Sequence, residues 1–271
     1  MVTVESLSES KKRYDVVFRT AGGSTSAYRV SEDLVVEYRL VPGKILEDFA
    51  FSAFQRAAEA DVWEQKAIAY VLRYPQTEEG LRKYLADRKV PKEATGRILV
   101  RLKALRLLDD REYALRFAED HSLLRHEGKT KIAFELRNRG ISPTLVAEVL
   151  SSLPASRERE SLNLLFDKKL PSLKDVPVRK AMATLQNHLI AKGFDPETVR
   201  SFLESRAGVI AGKTDEEALL DRDFAEAAKK ARKCGLSGRE LRESVLQTLA
   251  RKGYSYPAVK KRLTQGGDSD E

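Results

Sequence analysis

One helix ending recurs four times along the chain, and this repetition limits the folds that the chain can adopt. The copies, aligned on Leu85, Leu136, Leu189 and Leu249, read LADRKV, LRNRGI, LIAKGF and LARKGY. In each copy an apolar or aromatic anchor follows the leucine by five positions, and another leucine follows the anchor by nine. Units spaced 51, 53 and 60 residues apart are too small to bury an apolar face alone, so the pattern predicts stacked helical repeats.

The residue before the anchor indicates how each of these helices ends. It is Gly140, Gly193 or Gly253 in three copies, and Lys89 in the first. Glycine takes the left-handed conformation that closes a helix without a steric penalty, so we expect a positive φ at the three glycines.

The second repeat carries the strongest signal for the start of a helix. Asp109 is predicted to be an N-cap, with Glu112 at the third helical position, where the two residues can form a capping box. We expect Gly128 to end that helix. The spacings of Thr214 with Glu217 and of Ser237 with Glu240 predict two further capping boxes.

The N-terminal part differs in composition from the rest of the chain. Tyr14 to Thr20, Ser26 to Val30 and Leu34 to Leu40 predict a three-stranded antiparallel sheet, with a hairpin loop over 21–24. A helix over 45–60 follows, and Phe49, Phe51 and Phe54 are expected to pack it onto the sheet.

We therefore predict a mainly α fold: an elongated tandem array of three-helix, helix-turn-helix-like repeats with a small N-terminal antiparallel β-sheet. The expected divisions are a β-rich extension with one helix over 1–60, repeats over 61–108, 109–153, 154–207 and 208–263, and a disordered acidic tail over 264–271. The first repeat is expected to begin with a separate helix at Asp61.

Composition limits the partners and the compartment. No apolar run in the 271 residues approaches the ~18 that a membrane span requires, so we expect no membrane partner. The single cysteine, Cys234, excludes an intramolecular disulfide, and the N-terminus lacks a signal-peptide pattern; both favour the cytoplasm. A net charge of +8 favours polyanions such as nucleic acid.

Motifs that carry chemistry are weak. The segment AGVIAGKT over 207–214 resembles a phosphate-binding loop but is predicted to follow a helix, whereas such loops follow a strand. His121, His126 and His188 have no cysteine or carboxylate neighbours at metal-ligand spacing. Asp109 and Asp110 are adjacent, which suits helix capping better than paired acid and base catalysis. We therefore predict no enzyme, no catalytic residue, no metal and no cofactor.

Basic residues recur on the predicted helices and are the candidate contacts for a partner. They are Arg97, Arg101, Lys103 and Arg106 in repeat one, Lys129, Lys131, Arg137 and Arg139 in repeat two, and Lys229, Lys230, Arg232, Lys233, Lys260, Lys261 and Arg262 in repeat four. Stacked repeats would present such residues periodically to a polymer of regular negative charge. The alternative is that they are ordinary solvated helix faces.

The run of Asp109, Asp110, Tyr113 and Ala114, followed by Gly128 and the LRNRGI ending, resembles the signature of the RecX family of RecA modulators. The later endings, with Gly193 and Gly253, resemble that family's later repeats. The resemblance covers roughly residues 61–263, and Lys89 departs from the family's glycine. Residues 1–60 are similar to the N-terminal extension of longer members from Gram-positive bacteria.

The resemblance implies a non-enzymatic, monomeric protein that binds RecA and lies in the groove of the RecA filament on single-stranded DNA. There it would limit filament growth, ATP hydrolysis by RecA, strand exchange and cleavage of the SOS repressor. The signature residues have structural interpretations and mark the family rather than the contact surface. A second hypothesis is a helical repeat protein that acts directly on single- or double-stranded DNA, because each three-helix unit resembles a helix-turn-helix.

Overall fold

The structure is a computed structural model, and it describes residues 1–265. The N-terminal elements are β1 (Val2–Ser10), β2 (Arg13–Thr20), β3 (Thr25–Val30), α1 (Glu32–Glu37), β4 (Ile45–Leu46) and α2 (Asp48–Arg73). Within the described residues everything after α2 is helical or loop, so the predicted class, mainly α with a small N-terminal antiparallel sheet, is confirmed.

The sheet has four strands in the order β3-β2-β1-β4, and all neighbours are antiparallel. The prediction found β2, β3 and their hairpin loop but missed β1, in which serine and glutamate occupy most positions. The predicted strand from Leu34 to Leu40 is wrong, because α1 occupies most of that segment. Glu32 and Asp33 lie in the first turn of α1, where negative charge favours a helix, and Leu34 alone is buried.

Aromatic side chains pack α2 onto the sheet. The ring of Phe54 lies 4.9 Å from that of Phe18 and 5.4 Å from that of Tyr28, and Phe54 has no exposed surface. Phe51 joins the same cluster, with its ring 5.1 Å from Phe18. The expectation for Phe49 is wrong, because its side chain is 82% exposed at the start of the helix.

Helix α2 runs without interruption through the predicted boundary at residue 61. The two helices expected over 45–60 and from Asp61 are one helix of 26 residues. Asp61, in its middle, is buried, forms a salt bridge with Arg13 and accepts a hydrogen bond from the Ser31 amide at 3.2 Å. The sheet is therefore tied to the helix at the position where we expected a division.

The remaining helices follow the predicted repeats closely. They are α3 (Glu78–Asp87), α4 (Lys92–Ala104), α5 (Asp110–Leu123), α6 (Lys129–Asn138), α7 (Pro143–Ser152), α8 (Ala155–Lys169), a 3-10 helix (Leu170–Leu173), α9 (Val178–Ala191), α10 (Pro196–Ser205), α11 (Ala207–Ala211), α12 (Glu216–Lys233), α13 (Gly238–Lys252) and α14 (Tyr256–Gln265).

Three local predictions in the last repeat need correction. Asp215, not Thr214, caps α12, because its carboxylate accepts from the Ala218 amide at 3.1 Å. Ser237 occupies the N-cap position of α13 but makes no capping hydrogen bond with its side chain. Helix α14 extends to Gln265, two residues into the predicted tail, and the disorder predicted for 266–271 lies outside the described residues.

The chain forms two compact units. The first comprises Met1–Ala114 with Asn138–Ser142, and the second comprises Leu115–Arg137 with the described residues from Pro143 onward. In the first unit one core lies between the sheet and α2 and another among α2, α3 and α4. In the second unit one core is centred on α8, α9 and α10, and another on α12, α13 and α14.

The repeated helix ending is a contact between successive repeats. Gly140, Gly193 and Gly253 have φ of 84°, 90° and 107°, and the anchors that follow them are buried. A Cβ at Gly193 would lie 2.2 Å from the Cβ of Lys131, in the first turn of α6. The same distance is 2.3 Å from Gly140 to the Cβ of Glu79 in α3, and 2.6 Å from Gly253 to that of Lys180 in α9. Each glycine thus packs on the first turn of the second helix of the preceding repeat.

Lys89 has the same backbone conformation as the glycines but not their close contact. Its φ is 59° and its side chain is exposed. The first copy of the ending therefore needs a left-handed residue to close α3, yet has room for a side chain. This explains why the first repeat tolerates lysine at the glycine position.

Gly128 does not end α5, as we had predicted. Helix α5 stops at Leu123, and Gly128 lies directly before α6, where its amide donates to the Lys192 carbonyl at 2.9 Å. A Cβ at Gly128 would lie 2.2 Å from the Gly193 carbonyl oxygen, and the Thr130 amide donates to that oxygen at 3.1 Å. Two backbones meet here directly, and only glycine permits this approach.

We expect Gly193→Ala to lower the free energy of unfolding by about 3 kcal/mol, because backbone strain is added to a collision with α6. The control is Gly235→Ala, where φ is 79° but a Cβ would meet nothing within 4 Å. That variant should lose only the strain, about 1 kcal/mol. Chemical denaturation of both variants measures the difference, and equal losses would contradict the proposed contact.

The tie between the sheet and α2 gives a second prediction. Asp61→Ala should destabilise the first unit by about 3 kcal/mol, because it leaves the guanidinium of Arg13 buried without its partner. Asp48→Ala on the same helix removes a salt bridge to the N-terminal amine in which Asp48 is 87% exposed, and it should cost less than about 1 kcal/mol. Thermal unfolding followed by circular dichroism compares them. A loss at Asp61 no larger than that at Asp48 would argue against the tie.

Candidate interaction surfaces

The candidate basic residues divide into two groups in the structure. Several are held in ion pairs: Arg101 with Asp33 at 3.1 Å and Glu64 at 3.8 Å, Lys103 with Glu78 at 2.5 Å, Lys129 with Glu158 at 3.8 Å, Lys131 with Glu127 at 2.8 Å, and Arg262 with Asp221. Arg139 and Arg232 also interact within the molecule. A partner would have to compete with carboxylates for these side chains.

The second group is exposed and has no ion-pair partner among residues 1–265. It comprises Arg97, Arg106, Arg137, Lys229, Lys230, Lys233, Lys260 and Lys261. These side chains could meet an anionic partner without breaking an internal contact, so they are the stronger candidates within the predicted set.

Helix α6 also presents an aromatic residue that the sequence analysis did not mark. Phe134 is 62% exposed, whereas Ile132, Ala133 and Leu136 on the same helix are buried. Arg137 follows Phe134 by three positions, so the two side chains are neighbours on the helix surface. We refer to Phe134 and Arg137 as the α6 surface. The available signal was an apolar residue that falls outside the apolar stripe of its helix.

Aromatic residues and arginine are enriched at the centres of protein interfaces, and lysine is depleted there. The α6 surface has this composition. The exposed lysines of α12 and α14 have a different one, which suits the phosphates of a nucleic acid. The two surfaces therefore differ in the kind of partner they fit.

The two aspartates of the signature cap two different helices. The Asp109 carboxylate accepts from the Arg111 and Glu112 amides at 2.9 and 3.1 Å, which caps α5 as predicted. The Asp110 carboxylate accepts from the Glu78 amide at 2.7 Å, at the N-terminus of α3. Burial raises the pKa of Asp110, and the hydrogen bond from Glu78 opposes that rise. Both carboxylates are thus used within the fold.

His121 has a carboxylate neighbour that the sequence analysis missed. Its Nδ1 lies 2.6 Å from an Oε atom of Glu127, and both side chains are buried. The other Oε of Glu127 lies 2.8 Å from the Lys131 ammonium, and the ring of Phe117 stacks on His121 at 3.7 Å. Lys131 is also the residue on which Gly193 packs, so this cluster supports the contact between repeats two and three.

The pKa of Glu127 is set by opposing effects. Burial raises it, but the hydrogen bonds from Lys131 and His121 together outweigh burial, so the pKa lies below its usual range. A carboxyl whose pKa is lower in the folded state stabilises the fold above its unfolded pKa, and this stabilisation is lost as the pH falls through the folded value.

We therefore expect Glu127→Gln to lower the free energy of unfolding at neutral pH, and the deficit to shrink below about pH 4. Urea denaturation over a pH series measures this deficit. Glu243→Gln, at the exposed partner of Arg239, is the control and should have little effect at any pH. A deficit that is constant with pH would show that the charge of Glu127 is not responsible.

The other motifs acquire no chemical site in the described part of the chain. The segment over 207–214 follows α10 and begins with the short helix α11, so the strand of a phosphate-binding loop is not before it. Cys234 is exposed at the C-terminus of α12. Residues 1–265 contain no group of three or more histidine, cysteine or acidic side chains placed to hold a metal. No helix in this part of the chain is both long and apolar enough to cross a bilayer.

Fold and surfaces together define a helical-repeat protein with a β-rich N-terminal part and exposed basic and aromatic helix faces. The family model described as "RecX, second three-helix domain" matches residues 109–150. The regulatory protein RecX of Lacticaseibacillus casei is 27% identical over 90% of this chain and 92% of its own length, and that of Enterococcus faecalis is 24% identical over 98% and 97%. The chain belongs to the RecX family, as the sequence resemblance predicted.

Solved structures agree with this fold. A crystal structure of regulatory protein RecX superposes with a TM-score of 0.66 and 22% identity, and it covers 76% of this chain and all of its own. RecX from Lactobacillus salivarius gives a TM-score of 0.52 at 17% identity, over 55% of this chain and 97% of its own. At such identities the likeness concerns the fold.

Proposed function

We propose that this chain regulates RecA, without catalysis of its own, by binding RecA and the RecA filament on single-stranded DNA. The observation that carries the proposal is the similarity to proteins named regulatory protein RecX, which covers 90% or more of this chain and of those relatives. In this proposal the protein acts as a cytoplasmic monomer that restrains filament growth, ATP hydrolysis, strand exchange and SOS repressor cleavage. The contact surface is formed by the four proposed repeats over 61–108, 109–153, 154–207 and 208–263.

The α6 surface is the part of the molecule that best fits a protein partner. Phe134 offers apolar area that is already in contact with water, and the Arg137 guanidinium offers directed hydrogen bonds beside it. Burial of such a pair against RecA would provide affinity that does not depend on DNA phosphates. Its salt dependence should therefore be shallow.

Regulation through binding alone requires a preference for one state of the partner. A ligand shifts an equilibrium only by the difference between its affinities for the two states. The protein should accordingly bind the assembled filament more tightly than bare single-stranded DNA. Substoichiometric amounts should then alter filament growth.

We expect Arg137→Glu combined with Phe134→Ala to weaken filament binding by at least about tenfold, because the loss of an interface anchor costs ~2 kcal/mol or more. Binding is measured on fluorescent single-stranded DNA with and without RecA and ATP, at a salt concentration where binding to bare DNA has vanished. RecA ATPase activity is the second measurement.

Arg179→Glu is the matched control, because Arg179 is an exposed arginine of α9 outside the predicted contacts and the variant makes the same change in charge. It should bind like the unchanged protein. If the unchanged protein does not bind the filament at that salt and RecA ATPase does not respond, the proposal fails.

A second candidate function is direct binding to DNA. The observation in its favour is the exposed set Lys229, Lys230, Lys233, Lys260 and Lys261 in the fourth repeat, which has no ion-pair partners within residues 1–265. Binding dominated by phosphate contacts falls steeply with salt, whereas binding through the α6 surface should not. The salt series in the same titration separates the two functions.

A further inference from the structure

A pocket of about 330 Å³ lies in the first unit, outside the surfaces described above. Its walls come from α2, from the start of α4 and from Tyr38 at the end of α1. The side chains that give it chemical character are Tyr38, Arg56, Glu59, Trp63, Glu93 and Arg97, and the rest of the lining is mostly alanine. Binding sites for small ligands have volumes of roughly 300–1,000 Å³, so the pocket has room for one small group. We refer to it as the Trp63 pocket.

The charges of the pocket are free to act on a ligand. Arg56 and Arg97 are exposed, approach the pocket from α2 and α4, and have no ion-pair partner among residues 1–265. The same holds for Glu59 and Glu93. The pocket therefore offers two guanidinium groups and two carboxylates in a small volume. Its ligand should carry an anionic group and, separately, hydrogen-bond donors.

The aromatic side chains of the pocket are held in place by their neighbours. The Lys66 ammonium lies 4.2 Å from the centre of the Trp63 ring, and Trp63 is half-buried. The edge of Tyr38 packs against buried Phe54, with ring centres 5.4 Å apart at 79°. Fixed aromatic rings lose little entropy when a flat ring stacks on them.

A nucleotide has the chemistry that this pocket complements. Its phosphate suits the paired guanidinium groups, its flat base suits the indole, and the N–H groups of the base suit the carboxylates. An acidic peptide suits the pocket less well, because Glu59 and Glu93 would face like charges. We propose that the Trp63 pocket binds one nucleotide, with the base against Trp63 and the phosphate at Arg56 and Arg97.

An open groove along α4 leads away from the pocket and gives a chain of nucleotides a path. The groove shares Glu93 and Arg97 with the pocket and continues past Gly96 and Val100 to Arg101. A Cβ at Gly96 would meet nothing within 4 Å, and Val100 is 70% exposed. The nucleotide in the pocket can thus be free or part of single-stranded DNA. Both sources share the same chemistry.

The proposal goes beyond the proposed function, because it places nucleic-acid chemistry at residues that lie partly outside the repeats and needs no RecA. Trp63 is the only tryptophan of the chain, so its fluorescence reports on this pocket alone. We expect quenching of Trp63 fluorescence when the full chain, without RecA, is titrated at low salt with dAMP or with a single-stranded oligodeoxynucleotide. An abasic oligomer of the same length and a polyglutamate peptide are titrated in parallel.

Arg56→Gln combined with Arg97→Gln should weaken binding of the quenching ligand about tenfold or more, because each replacement removes a charge-assisted contact. Arg73→Gln, also exposed and on α2, is the control and should not change it. Anisotropy of a labelled oligonucleotide provides a second measurement that does not rely on tryptophan. Quenching by dAMP and the oligonucleotide together indicates a mononucleotide site, and quenching by the oligonucleotide alone indicates a strand site; both support the proposal.

Three outcomes would overturn the assignment of this pocket. They are quenching by the abasic oligomer equal to that by the normal oligonucleotide, quenching by polyglutamate alone, and binding that is unchanged by the two arginine substitutions. None of them bears on the RecA filament titration. A failure here can therefore be distinguished from a failure of the proposed function.

Discussion

The fold depends on a contact in which the backbone of one repeat lies against the first helical turn of another. At Gly193 this contact is tightest, because a carbonyl oxygen of the helix ending accepts from the Thr130 amide while Gly128 faces it without a side chain. The buried anchor Phe194 follows at once and fills the core of its own repeat. One short segment thus closes a helix, joins two repeats and places a core residue, which is why its spacing is so regular along the chain.

The described elements that the sequence predicted well are those specified by local signals. Capping by Asp109, the helix stops at the glycines and the hairpin between β2 and β3 all depend on residues within a few positions of each other. The errors arise where distant parts of the chain decide the outcome. Leu34 to Leu40 contains residues typical of strands, yet it forms a helix followed by a short loop. Strand β1 has few apolar residues and is stabilised by the strands on either side of it.

The same distinction applies to the candidate sites. The sequence marked basic residues correctly as surface residues, but it could not separate Arg137, which is free of ion pairs in the described chain, from Lys131, which is held by buried Glu127. That separation depends on which carboxylates approach in three dimensions. The Trp63 pocket could not be predicted either, because Tyr38, Trp63 and Arg97 are far apart in the sequence and meet only after α2 and α4 have packed. Charge counted along a chain therefore gives the sign of a partner but not the place where it binds.

Lys89 has a consequence for how copies of this chain can be joined. Each internal repeat offers the first turn of its second helix as a socket, and the following repeat inserts a glycine that lacks a side chain. A second molecule that tried to continue the array with its own first repeat would have to insert Lys89, whose Cβ would collide where the glycines leave only 2.2 to 2.6 Å. The array is therefore directional and ends itself: the residue that opens it prevents one molecule from being threaded onto the end of another.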